Sequence, residues 1–61
     1  MTGFTINDLV ACARRELGQR RRVYARLVAA GKMSQETADR EIALMAAILD
    51  NLETQQSPKL F

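Results

Sequence analysis

Arginine is the residue type through which this chain can do chemistry. Arg14, Arg15, Arg20, Arg21, Arg22 and Arg26 are packed into one short stretch, and no lysine precedes Lys32. A guanidinium presents a planar fork of donors that grips a carboxylate or a phosphate at two points, which an ammonium cannot do. At about 100° per helical residue, Arg15, Arg22 and Arg26 share one narrow face, and Arg14 and Arg21 form a flanking row. Such a face suits an acidic protein surface. It also suits nucleic-acid phosphates, but the chain has few aromatic platforms for bases and no short recognition helix. The plainer alternative is a solvated face whose arginines pair with the chain's own acidic residues.

Other chemistry is poorly provided for. The sequence contains no histidine and a single cysteine, so it cannot form an internal disulfide and has almost no zinc ligands. It has no glycine-rich phosphate loop, and neither Ser34 nor Ser57 stands in a nucleophile motif. Cys12 lies beside an apolar band with no histidine to activate it, and reads as a small buried hydrophobe. The expectation is a non-enzyme with no metal, cofactor or small-molecule substrate. The lone thiol and the lack of a membrane-length apolar run point to the cytoplasm.

These residues must be positioned by helices. From Ile6, apolar residues recur at Val10, Ala13, Leu17, Tyr24 and Leu27, widened by Leu9 and Val28, as on a core-facing helix. Thr5 and Asp8 form a cap-like start. Gly18 interrupts the run without shifting its phase, marking either a kink or a close approach by another helix. A second stripe, Ala38, Ile42, Met45, Leu49 and Leu52, follows Ser34, which can cap it. Between the stripes, Gly31 can take the left-handed conformation that ends a helix. The fold class expected is all-α: an antiparallel two-helix hairpin of about residues 6–30 and 35–53. Residues 1–53 make one domain, with 54–61 as a flexible tail.

Arg20 breaks the first apolar stripe, and Glu41 falls within the apolar arc of the second. In a hairpin turning at 32–33, facing positions sum to about 65, which brings Arg20 near Glu41. Glu16, one turn earlier, can join them. Arg20, Glu41 and Glu16 are therefore read as a structural ion-pair set that fixes register, and loss of one partner is expected to leave a costly unpaired charge.

Charge and apolar content both suggest association. The net charge of +2 conceals a balance of +5 over residues 1–32 and −4 over residues 33–53. On the second helix, Leu44 and Ile48 extend the apolar arc to about 200°, more than one facing helix can cover. A domain of this size is also marginal alone. Self-association as a homodimeric four-helix bundle is expected, carried by Leu44, Ile48, Met45 and Leu52, leaving the arginines for an acidic partner.

Residues 20–48, running Arg-Arg-Arg-Val-Tyr, Gly-Lys-Met and Ala-Asp-Arg-Glu-Ile, resemble a group of small uncharacterised proteins of bacteriophages, prophages and proteobacteria. Members of that group often have proline where this chain has Ala25. The resemblance implies a bacterial host cell and brings no known activity or functional residues. The terminal Leu60-Phe61 is similar to peptides that enter the bacterial sliding clamp, but Gln56 stands one residue too far upstream. Local packing or no role is the preferred reading there.

Overall fold

A computed structural model of the protein describes residues 3–56. Two helices, α1 (Ile6–Ala29) and α2 (Gln35–Gln56), pack against each other as an all-α hairpin.

Local chemistry accounts for both ends of α1 and for the start of α2. Thr5 Oγ1 accepts from the Asp8 amide at 3.2 Å, while Asp8 Oδ2 accepts from the Thr5 amide at 3.0 Å, closing a capping box. At the far end of α1, Gly31 takes φ 73°, a conformation an L side chain adopts only with strain. The Gly31 amide donates to the Val28 carbonyl and the Lys32 amide to the Leu27 carbonyl, at 3.0 and 2.8 Å. These two bonds satisfy carbonyls that the end of the helix would leave open. Ser34 then caps α2 by accepting from the Thr37 amide at 3.0 Å.

The core is small. Val10, Ala13 and Leu17 of α1 and Ala38 and Met45 of α2 are the buried hydrophobic residues, with Ile42, Ala46, Leu49 and Leu52 packed against them in part. Ile6, Tyr24, Leu27 and Val28 are only half-buried, and Leu9 is exposed. Two cylinders meet along a line, so residues at the margins of each apolar band remain in water.

Three expectations need correction. Cys12 is exposed rather than buried, because it projects well away from the line along which α2 covers α1. The hairpin continues beyond residue 53: Thr54 to Gln56 extend α2, and Gln56 Nε2 donates to Asn7 Oδ1 at 2.7 Å across the hairpin. Residues 57–61 of the expected tail, with Leu60 and Phe61, lie outside the described residues. Finally, no other helix approaches Gly18 closely, and α1 runs through it as one helix. A Cβ built there would meet only Arg22 Nη1, at 3.7 Å. Gly18→Ala should therefore stabilise the hairpin by up to about 1 kcal/mol, the helix-propensity difference, read as a raised thermal midpoint.

Candidate binding faces

Cross-helix contacts orient the hairpin. Arg14 Nη2 meets Glu53 Oε2 at 2.7 Å on one side of the contact line. On the other, Arg20 Nε donates to Glu16 Oε2 at 3.2 Å, and Arg20 Nη1 donates to the Glu41 carbonyl oxygen at 2.9 Å. The same nitrogen lies 3.6 Å from Glu41 Oε1. Arg20, Glu16 and Glu41 are thus brought together, and the shorter of Arg20's two contacts with Glu41 goes to the backbone oxygen. The Glu16 and Glu41 side chains keep 49% and 38% of their exposure. Water screens them, so Arg20 is not the linchpin that a buried pair would make it. Arg20→Met should cost about 1 kcal/mol in denaturant unfolding rather than the 3–5 of a broken buried pair.

With helical spacing of about 100° per residue, these contacts divide the hairpin into two broad faces and two outer edges. The face carrying Arg20, Glu16 and Glu41 also carries Leu9 and Val23 of α1 and Leu44 and Ile48 of α2. These four are 41–50% exposed, and apart from Phe4 they are the large hydrophobic residues left in water among the described residues. The opposite face is polar, with Asn7, Arg14 and Arg21 beside Asp39, Asp50 and Glu53.

The residues expected to carry self-association therefore separate. Leu44 and Ile48 point outward at 43% and 50% exposure, whereas Met45 is buried at 8% within the hairpin. Leu52 is partly buried against the same cluster. The second stripe aims both Met45 and Leu52 at α1, and that contact occupies them. Leu9 and Val23 belong to the exposed set in their place. Their helical angle signals this, once it is known on which side of the hairpin α2 lies.

The arginines separate too. Arg14 is held by Glu53 and Arg20 by Glu16 and Glu41, while Arg15, Arg21, Arg22 and Arg26 are exposed with no ion pair or side-chain hydrogen bond among the described residues. Arg15, Arg22 and Arg26 run along the outer edge of α1, with the bare backbone of Gly18 between the first two. On α2, Asp39 accepts from Gln35 Nε2 at 2.8 Å. The outer edge of α1 is left strongly basic.

A shallow hollow of about 510 Å³ lies at the N-terminal end of that edge, lined by Phe4, Asp8, Leu9, Ala11, Cys12 and Arg15. Asp8 is engaged in the capping box and Cys12 has no basic side chain bonded to it, so the hollow is an apolar patch rimmed by one guanidinium. Among the described residues, no group of three or more histidine, cysteine, aspartate or glutamate side chains is placed to hold a metal ion. No helix there is long and apolar enough to cross a membrane. No protein-family model, curated protein sequence or solved structure matches the chain.

Proposed function

We propose that the protein is a small non-enzymatic binding module of phage or prophage type, an adaptor or inhibitor acting on a host or phage protein. It self-associates through the apolar face of the hairpin and offers the arginine edge of α1 to an acidic protein partner. One observation carries the reading. Four arginines of α1 stand exposed without a carboxylate partner among the described residues, although the chain has acidic groups with which it pairs Arg14 and Arg20. Exposed guanidinium groups aligned on one helix edge make forked, charge-assisted contacts with carboxylates. The apolar face supports the dimer, since five buried residues among those described are a slender core for a free-standing domain. The resemblance of residues 20–48 to phage and prophage proteins is associational and sets only the context.

The same four arginines also support a second reading, an accessory nucleic-acid-binding protein that contacts phosphates. That reading requires affinity that falls steeply with salt. The variant Arg15→Gln, Arg22→Gln, Arg26→Gln separates the possibilities. It should keep the wild-type melting temperature and dimer while losing a protein captured from nuclease-treated host lysate. Capture that disappears on nuclease treatment would favour nucleic acid. A melting temperature lowered by several degrees with no change in capture would mean that the arginines serve only the hairpin.

A further inference from the structure

The apolar face has an internal symmetry that specifies how a second copy fits it. The pairs Arg14–Glu53, Arg20–Glu41 and Asn7–Gln56 set the antiparallel register, which puts Gly18 of α1 level with Ala46 of α2. About the level of Gly18, Glu16 and Arg20 are equidistant and opposite in charge, and Leu9 and Leu27 are equidistant and both aliphatic. About the level of Ala46, Leu44 and Ile48 are equidistant. All six residues lie on the face that holds the Arg20 cluster.

We propose that a second copy of this chain seats on that face through a two-fold axis perpendicular to the helices, passing between Glu16 and Arg20 and between Leu44 and Ile48. The axis lays α1 antiparallel on the partner's α1, and α2 antiparallel on the partner's α2. Leu44 then meets the partner's Ile48, Leu9 meets the partner's Leu27, and Arg20 meets the partner's Glu16, each contact occurring twice as two-fold symmetry requires. Val23 falls near the partner's Cys12. The other face-to-face arrangement, with α1 on the partner's α2, sets Leu44 and Ile48 against the partner's Arg20 and Glu16. That arrangement desolvates charges against aliphatic carbon. It gains only a general attraction between basic and acidic helices, which salt screens beyond about 10 Å.

The seating rests on the self-association proposed above and adds a functional consequence. Both arginine edges come to the same side of the four-helix bundle, so Arg15, Arg22 and Arg26 of the two copies form one enlarged basic surface. An acidic partner can then engage both copies at once, with the gain in avidity that linked sites provide.

Two charge variants test the axis. Arg20→Glu alone sets like charges against each other on both sides of the axis, and so does Glu16→Arg alone. Mixed one to one, the two proteins restore opposite charges across the interface, though not within either chain. A mixed dimer at least about tenfold tighter than either homodimer supports the seating; a difference under about twofold overturns it. Should either variant fail to fold, cysteine pairing in a Cys12→Ser background decides. A disulfide between Leu44→Cys and Ile48→Cys chains supports the antiparallel seating. A disulfide between Leu44→Cys and Val23→Cys chains overturns it but leaves the dimer standing. A wild-type protein that sediments as a monomer overturns the dimer itself.

Discussion

Leu44→Glu combined with Ile48→Glu is expected to convert the protein to a monomer. The two side chains are 43% and 50% exposed on a single hairpin, and neither is among its buried core residues. Glutamate is a good helix former, so α2 itself tolerates both changes. In the proposed bundle the same positions lie at the centre of the interface, where four carboxylates would face one another without partners. Each uncompensated charge costs several kcal/mol, and about 1.4 kcal/mol corresponds to a tenfold change in affinity. The dimer should weaken by roughly a thousandfold or more. Sedimentation velocity over a concentration series reads this directly, with far-UV circular dichroism to show that the helices persist. A variant that dimerises like wild type would mean that this face is not the interface.

Leu17→Ala should have the largest effect on folding. Leu17 is 8% exposed and belongs to the cluster formed with Ala13 and Met45. Large-to-small substitution in a core costs about 2–5 kcal/mol through lost transfer energy and the cavity left behind. A hairpin with five buried residues has about that much stability in total. The variant should be largely unfolded at room temperature when dilute and regain helix as concentration rises, because association favours the folded state by mass action. Thermal melts followed by circular dichroism at two protein concentrations test this. A change in midpoint of only a few degrees would show that Leu17 is not central to the core.

The fold was legible because its determinants are local. Thr5 and Asp8 at one end of α1, Gly31 after the other, and Ser34 before α2 satisfy helix ends within a few residues of themselves. A turn so short then sets the antiparallel register. Arg20, Glu16 and Glu41 could be placed together from spacing and register alone.

What escaped the sequence depends on how wide the helix contact is. An apolar arc shows which residues could be covered, not which are, and the line of contact leaves Leu9 and Cys12 outside while enclosing Met45. The continuation of α2 past residue 53 goes with a cross-hairpin bond from Gln56 to Asn7, which no local signal announces. The Arg14–Glu53 pair escaped for a related reason: the register brings the two near each other, but which arginines find carboxylates depends on side-chain reach. The same limit applied to the exposed arginines, whose availability becomes visible only once the pairs are located.

Sedimentation equilibrium of the wild-type protein at low and at moderate salt tests the account at its centre, the apolar face that seats a second copy. Like-charged helices lie beside each other in the proposed bundle, so the dimer should hold its affinity or tighten slightly as salt rises. A monomer at high micromolar concentration would contradict the account. So would a dimer that dissociates as salt is added, since the basic and acidic helices would then be what holds it together.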